Sequence, residues 1–462
     1  MDGLVEDNRN YDLAAIVDTQ KAFFTSGNTL ELTFRLEKLR VLEAVIKRRS
    51  EELLAALASD LGKPALEAYV SEYYFVLSEI RLFRRKLIRW SRPQRVGNPF
   101  YFFPARSEIR REPYGTVIIV APWNYPFQLS ISPLVAAVAA GNCVVLKPSE
   151  MAPATALLLA EIVTEVFESG HVTVVNGGPQ IGKDLLELPF DFWFYTGNER
   201  IGRLYAEAGA RTLTPAALEL GGKCPCVVDT EVDLNIAAER IVSAKFFNAG
   251  QTCIAPDFVL VPEALKDTFV AKATAILIAA YGSGNSGDLA VIVNQRHYQR
   301  LQSLITPGAI RVGEDDPAVR RLAPRLLPDA GWDSSAMQEE IFGPLLPVIA
   351  YTSLDEVLAR LSRLPAPLAL YAFSRDRKTR EHIAASVRSG SICFNDILKQ
   401  ATNLNLPFGG VGNSGMGRYR GRAGFECFSY VRSVTRRYFS QDFFNLMPPY
   451  GDRLEKLRKI LK

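Results

Sequence analysis

TVIIVAPWNYPFQLSISPLVAAVAAGNCVVLKPSE, residues 116–150, holds two short apolar runs separated by one helix-length segment. TVIIV and CVVLK each hold four consecutive apolar residues, Val117 to Val120 and Cys143 to Leu146, the pattern of strands buried on both faces. FQLSISPLVAAVAAGN, between them, reads as a helix that stops at Gly141. A strand, a helix and a second such strand make a right-handed βαβ crossover with parallel strands. The cycle repeats downstream. APATALLLAEIVTEVFESG reads as a helix ending in Gly170, VTVVNG as a strand, IGKDLLEL as a helix and DFWFYTG as a strand. The expectation is a doubly wound α/β sheet, whose ligands lie beyond the carboxyl ends of the strands.

Upstream, residues 30–61 read as one long amphipathic helix, with Leu36, Leu39, Val45 and Ile46 on a common stripe and Gly62-Lys63-Pro64 ending it. A second helical pattern covers 66–89. WSRPQRVGNPFYFFPARSEIRREP then reads as an extended excursion rich in Pro and aromatics. Downstream, 220–425 carries a second alternating set, with strands near CVVD, FVLV, LLPVIA, LALYAFS and SICFND. The stretch 282–335 is rich in Gly, Pro and Asp and reads as a loop-dominated surface region. No internal repeat or low-complexity tract is visible.

A chain of 462 residues exceeds one ordinary core, so two or three units are expected. With 48% hydrophobic and 23% charged residues it has the composition of a soluble globular protein. The net charge of +4 is spread along the chain, with no basic block or zinc-finger spacing, which argues against a nucleic-acid partner. MDGLVEDNRN at the start lacks the basic and apolar regions of a signal peptide, and no run of about 18 apolar residues predicts a spanning helix. Six scattered cysteines (Cys143, Cys224, Cys226, Cys253, Cys393 and Cys427) suggest reduced thiols in a cytoplasmic protein. Three distant histidines, and a Cys224-Pro225-Cys226 pair without zinc-knuckle spacing, argue against a metal site.

Four turns after predicted strands carry polar residues where a ligand would lie. Asn124 offers an amide after TVIIV, and Lys147 and Glu150 after CVVLK can grip two ribose hydroxyls from one turn. Gly197, Asn198 and Gly202, after DFWFY, form a loose version of a phosphate turn that opens a helix. Glu219 stands at a strand end before two glycines that admit close backbone approach. Singly, each has a plain alternative. Asn124 can be a turn residue, Lys147 and Glu150 a solvated pair, Glu219 a salt-bridged strand end, and Cys253 a packed thiol. Their recurrence at successive strand ends is what points to a site.

Six ordered motifs carry a family resemblance: PWNYP at 122–126, LKPSE at 146–150, LELGGK at 218–223, FNAGQTC at 247–253, QEEIFGP at 338–344 and PFGGVGNSGMGRYRG at 407–421. Over residues 10–440 the chain resembles the aldehyde dehydrogenases, most closely the class 3 type that includes fatty and aromatic aldehyde dehydrogenases.

The resemblance implies a Rossmann-like cofactor domain from 1–89 and 112–219, and an α/β catalytic domain from 220–426. It also implies a small β bridging (oligomerisation) element from 90–111 and 427–442, a tail at 443–462, and a homodimer. It implies Cys253 as nucleophile, Glu219 as general base and Asn124 as oxyanion-hole donor. Cofactor contacts carried over are Trp123, Lys147, Glu150, Gly197, Asn198, Gly202, Leu220, Glu340 and Phe342. Glu150 favours NAD by repelling a 2′-phosphate, while class 3 relatives often tolerate NADP with the same residue.

The expected reaction is oxidation of an apolar aldehyde (fatty, aromatic or apocarotenoid) to a carboxylic acid. The rivals are transfer of the acyl group to coenzyme A, which Glu219 disfavours, and a catalytically silent homologue. Gly197-Asn198-Glu199-Arg200-Ile201-Gly202 departs from the family's Gly-Ser-Thr-x-x-Gly by placing a carboxylate near the phosphate turn. PPYGDRLEKLRKILK, at the end, spaces Leu454, Leu457 and Leu461 helically among basic residues. It reads as a peripheral membrane contact through 452–462 or as a docked helix.

Overall fold

In the computed structural model, which describes residues 11–282, 286–439 and 447–460, the strands at Thr116–Val120 and Cys143–Lys147 lie side by side in parallel. Every residue of both strands is buried. The helix between them, Gln128–Ala140, is buried on all sides and ends at Gly141, whose φ of 103° is the left-handed stop glycine provides. The strand order of this sheet is Gly415–Met416, Ala216–Glu219, Phe192–Thr196, Thr116–Val120, Cys143–Lys147 and Val172–Val174. All neighbours are parallel except Gly415–Met416. The chain winds outward from Thr116–Val120 to Val172–Val174 and returns on the other side at Phe192–Thr196. The switch point therefore lies between the ends of Thr116–Val120 and Phe192–Thr196, where doubly wound sheets bind ligands.

A second sheet runs Ile310–Arg311, Arg325–Leu327, Leu345–Tyr351, Phe258–Pro262, Pro225–Val228, Ala369–Phe373 and Ser391–Phe394. It is parallel apart from its first strand. A third, antiparallel sheet joins Gln94–Val96, Ala105–Pro113 and Ser429–Arg437. Segments 300 residues apart in sequence thus pair, from Ser429 opposite Pro113 to Arg437 opposite Ala105.

Three local expectations are corrected. The helix expected over 30–61 is two helices, Leu32–Arg48 and Ser50–Leu61, bent at Arg49. There the guanidinium leaves the helix line to bond Glu52 at 3.0 Å and to pair with Glu161, which seats the second helix on Pro153–Val166. The expected helix over 66–89 contains a π turn at Tyr69–Tyr73 between Ala65–Ala68 and Tyr74–Trp90. Such one-turn bulges concentrate at functional sites, and Val70 and Ser71 of this one face the cavity described below.

The stretch 282–335 is loop-dominated, as expected, but it is more than surface. It holds the helix Gln295–Ser303 and the strands Ile310–Arg311 and Arg325–Leu327, packed around buried Ile292, Tyr298, Leu301, Leu322 and Leu327. Its Gly, Pro and Asp residues mask a small core whose apolar residues are too few per element to show a period. Gly202 lies within the first turn of the helix Glu199–Thr212 rather than at its start.

No described helix is long and apolar enough to cross a membrane. The helix Arg453–Ile460 leaves Leu454 exposed. Leu461 and Lys462, like the first ten residues, lie outside the described residues.

Candidate active site

Beyond the carboxyl ends of both large sheets opens one cavity of ≈ 1650 Å³. Cys253, Glu219 and Asn124 all line it. So do Trp123, Lys147, Glu150, Gly197, Asn198, Leu220, Glu340 and Phe342. Of the residues singled out in the sequence, Gly202 alone does not face it. A Cβ there would lie 2.6 Å from Leu220 Cδ2, so the missing side chain lets the helix Glu199–Thr212 close onto Leu220.

Cys253 follows three consecutive left-handed residues: Asn248 with φ 53°, Ala249 with φ 52° and Gly250 with φ 72°. For the two non-glycine residues this backbone costs about 1–2 kcal/mol each. A buried polar net holds it in place. The Asn248 N–H donates to Glu67 Oε2 at 2.8 Å, and Asn248 Nδ2 donates to the carbonyls of Asn124 at 3.0 Å and Gln251 at 3.2 Å. Gln251 Nε2 donates to the Asn248 and Val291 carbonyls, while its Oε1 accepts from the Val293 N–H at 3.1 Å. The Tyr125 and Thr252 hydroxyls meet at 2.6 Å.

Asn124 is buried, and its Nδ2 donates to the Gln251 carbonyl at 3.0 Å. A carboxamide has two such hydrogens. Tying one to the loop that carries Cys253 orients the other. From behind, Lys63 Nζ donates to the Asn124 carbonyl at 3.0 Å, pairs with Glu72, and sits 4.2 Å from the Tyr125 ring centroid. Both charged side chains of that pair are fully buried. Glu72 Oε2 in turn accepts the Phe127 and Gln128 N–H groups at 2.9 and 3.2 Å. In the sequence Lys63 was only a helix terminator and Glu72 only a polar helix position. Their pairing depends on a turn of the chain that no local signal reveals.

Glu219 ends the strand Ala216–Glu219 and is buried, yet neither carboxylate oxygen has a hydrogen-bond partner among the described residues. Gly409 crowds it, since a Cβ there would sit 2.9 Å from Glu219 Oε1. Burial pushes the Glu219 carboxyl well above the usual carboxylate range, against the pull of Arg420 and Arg418. The Cys253 thiol is pushed up to about 12 by burial and by the Glu340 and Glu219 carboxylates, with Arg420 opposing. Burial thus disfavours the charged form of both groups.

The cofactor side is built by other strand ends. Lys147 Nζ donates to Glu150 Oε2 and to the Pro148 carbonyl, both at 3.2 Å. A Cβ at Gly197 would lie 2.2 Å from the Tyr195 hydroxyl oxygen, so only glycine leaves this turn open. Asn198 caps the helix Glu199–Thr212, its Oδ1 accepting from the Ile201 N–H at 3.0 Å. Glu199 pairs with Arg203 and accepts from Asn413 Nδ2 at 2.9 Å, which neutralises the charge that departs from the family motif. Glu340 is held on a loop pinned by Arg300, which donates to the Glu340 and Ile341 carbonyls at 3.3 and 2.5 Å. Burial and Asp257 raise Glu340 to about 8. Trp123 meets Phe342 edge-on at 5.3 Å between ring centroids. A helix N-terminus, a Lys–Glu pair and a second carboxylate on one open wall are the donors and acceptors that a dinucleotide's pyrophosphate and two riboses require. These residues fit a nicotinamide dinucleotide.

Comparison with known proteins agrees with this geometry. Residues 3–434 match the family profile described as "Aldehyde dehydrogenase family". The 4,4'-diaponeurosporen-aldehyde dehydrogenase of Staphylococcus aureus (strain NCTC 8325 / PS 47) is 40% identical over 447 residues, covering 96% of this chain and 97% of that protein. The dimeric, NADP-preferring aldehyde dehydrogenase of Canis lupus familiaris is 40% identical over 450 residues, covering 97% and 99%. Among solved structures, a substrate-bound state of Staphylococcus aureus AldH superposes with a TM-score of 0.94 at 40% identity, covering 97% of this chain and 99% of that one. The chain belongs to the aldehyde dehydrogenase family.

Proposed function

We propose that Cys253, Asn124 and Glu219 carry out oxidation of an aldehyde to a free carboxylic acid with NAD, and with NADP also accepted. The observation that carries this reading is Glu219, a buried carboxylate with two unpartnered oxygens facing the same cavity as the Cys253 thiol.

An aldehyde carbon must become tetrahedral before it can be oxidised. The Cys253 thiolate attacks it, forming a carbon–sulfur bond. The oxygen that gains charge is met by the free Asn124 amide hydrogen, and losing such a donor typically costs ~10²–10³ in turnover. When bound, the nicotinamide ring supplies the two-electron acceptor that converts this adduct to a thioester. Glu219 then removes a proton from the water that attacks the thioester, releasing the acid and restoring the thiol. Its carboxylate has no competing partner, so it is free for water. This is why hydrolysis is favoured over transfer to coenzyme A.

Lys147 and Glu150 would hold the adenosine ribose, Gly197 and Asn198 the pyrophosphate turn, and Glu340 the nicotinamide ribose. Trp123, Leu220 and Phe342 would pack beside them, with Gly202 behind. The three sheets support a division into cofactor, catalytic and bridging units, with Gly415–Met416, inside 220–426, joining the first sheet. The antiparallel sheet of 94–113 and 429–437 is the element proposed to join two copies into a homodimer, a state that the name of the canine relative also carries.

The substrate is proposed to be an apolar aldehyde, in keeping with Phe75, Leu129, Ile254 and Phe408 on the cavity wall and with the diaponeurosporene-aldehyde relative. A cytoplasmic protein touching membranes through the basic helix near 453–460 would meet such substrates. Vesicle flotation with and without residues 452–462 tests that contact. The central test is growth of reduced-nicotinamide absorbance across a panel of chain lengths and aromatic aldehydes. A Cys253→Ala variant with full activity would refute the mechanism.

A further inference from the structure

One buried charge in the cavity has no part in the reaction so far. Arg420 lies in the stretch 407–421, with φ of 76°, a left-handed backbone that a non-glycine residue adopts only when its surroundings impose it. Its side chain is buried and lines the cavity. The guanidinium stands 4.3 Å from the Phe408 ring centroid, 4.7 Å from Phe75 and 5.6 Å from Tyr419. One nitrogen is spent on the Ala401 carbonyl, while Nε has no hydrogen-bond partner among the described residues. Rings on three sides supply favourable quadrupoles, but no carboxylate is bonded to it. A caged, incompletely bonded cation lining the same cavity as an incompletely bonded carboxylate is a costly arrangement for packing alone.

We propose that Arg420 is a positioning residue for the reacting pair: held in the cage of Phe75, Phe408 and Tyr419, its guanidinium is the fixed counter-charge against which the Glu219 carboxylate and the Cys253 thiolate form. The inference rests on the reading of those two residues given above. The charged and titratable groups facing the pair come from several elements. Glu219 comes from the strand Ala216–Glu219, Glu340 from the loop after Ser335–Gln338, and Arg418 and Tyr419 from the stretch that carries Arg420. Glu79 faces Arg420 from the helix Tyr74–Trp90, and Cys427 faces Glu219 from the helix Gly421–Cys427. Among them Arg420 acts on both members of the pair, favouring the charged form of each. Arg418 is held elsewhere, donating to the Gly417 carbonyl at 2.6 Å and to that of Gly410. A neutral cavity would leave both charged forms unsupported once substrate displaces water. A cage of rings keeps the cation from collapsing onto the carboxylate, which leaves Glu219 free to take its proton from water.

The test compares Arg420→Gln, which keeps a donor and loses the charge, with Arg420→Lys, which keeps the charge. Both are treated with iodoacetamide over a range of pH without aldehyde or cofactor, and alkylation is followed at Cys253 by peptide mass spectrometry. In Arg420→Gln the midpoint should move up by about one pH unit, so that alkylation at a fixed pH below it is about tenfold slower. Arg420→Lys should keep the wild-type midpoint. A merely structural loss would lower the reactive fraction without moving the midpoint. Equal midpoints in the Gln variant and wild type would overturn the proposal, as would equal shifts in the two variants. If the Gln variant does not fold, as judged by circular dichroism, Arg420→Met, which keeps an apolar stem against the rings and loses the charge, takes its place: an upward shift upholds the role and a wild-type midpoint overturns it. A wild-type protein that alkylates as expected yet oxidises no aldehyde would remove the proposed reaction and leave the role of Arg420 standing.

Discussion

Replacing Lys63 by Met tests whether the wall behind Asn124 is built on charge. The side chains of Lys63 and Glu72 are wholly excluded from solvent. All three Lys63 donors are committed: to Glu72, to the Asn124 carbonyl at 3.0 Å, and toward the Tyr125 ring 4.2 Å away. Met fills nearly the same volume, so the change isolates the ammonium. It leaves the Glu72 carboxylate buried with only the Phe127 and Gln128 N–H groups. Breaking a buried pair from one side costs about 3–5 kcal/mol. Glu72→Gln strands the ammonium instead and should cost a similar amount. The double variant strands neither charge, so its loss should fall short of the sum of the single losses by about 2–3 kcal/mol. Urea unfolding followed by tryptophan fluorescence reads these differences. Turnover adds a second readout, because the Asn124 carbonyl loses one of its two donors. In the Lys63 variant kcat should drop, by no more than the ~10²–10³ expected for complete loss of an oxyanion donor. Additive single losses would refute the reasoning, and so would a Lys63→Met variant within about 1 kcal/mol of wild type.

Glu219→Gln should still release one burst of reduced nicotinamide per site, since thioester formation does not need the base. Its steady-state rate should fall by about 10²–10⁴, measured by stopped-flow absorbance. Gly221→Ala places a Cβ 2.2 Å from Glu340 Oε2, so the carboxylate must move and cofactor binding should weaken in a fluorescence titration. Because burial raises Glu219, its base form is lost as pH falls, and hydrolysis-limited turnover should climb with pH above the usual carboxylate range. His171 is enclosed by Phe23, Phe34 and Phe167, and burial lowers it to about 4. A depressed histidine stabilises the fold above the unfolded value near 6.5 and loses that contribution as pH falls from there through about 4. His171→Leu should therefore flatten the acid side of a melting-temperature profile between those two values.

Much of this was legible in the chain because it is local. Five residues of apolar strand, then a glycine-stopped helix, then five more, state a βαβ unit without outside help. The residues placed at strand ends by that reading, Asn124, Lys147, Glu150 and Glu219, do share one cavity. What the chain hid is non-local or energetic. Arg49 bends a helix because Glu161, 112 positions away, captures its guanidinium. The small core of 282–335 is assembled from elements as short as two or three residues. Lys63 and Glu72 look like surface residues until the turn at 248–250 and the helix Gln128–Ala140 close over them.

That contrast bears on how the nucleophile works. Several polar groups around Cys253 serve to hold backbone: Glu67 and Gln251 the left-handed turn, Lys63 the Asn124 carbonyl, Arg300 the Glu340 loop. The groups proposed to react, the thiol and the Glu219 carboxylate, lack a bonded counter-charge among the described residues, and burial disfavours their ionisation. A thiolate stabilised by a tight ion pair would be abundant but sluggish, because nucleophilicity falls with basicity. A thiol pushed up to about 12 gives a scarce thiolate of high intrinsic reactivity, formed when a proton acceptor and an electrophile are both at hand. The rigid surroundings keep the sulfur at the place where the aldehyde carbon arrives. Pairing Cys253 more tightly, for example by Thr252→Lys, should then raise iodoacetamide labelling at neutral pH while lowering aldehyde turnover, and a rise in both would contradict this division of labour.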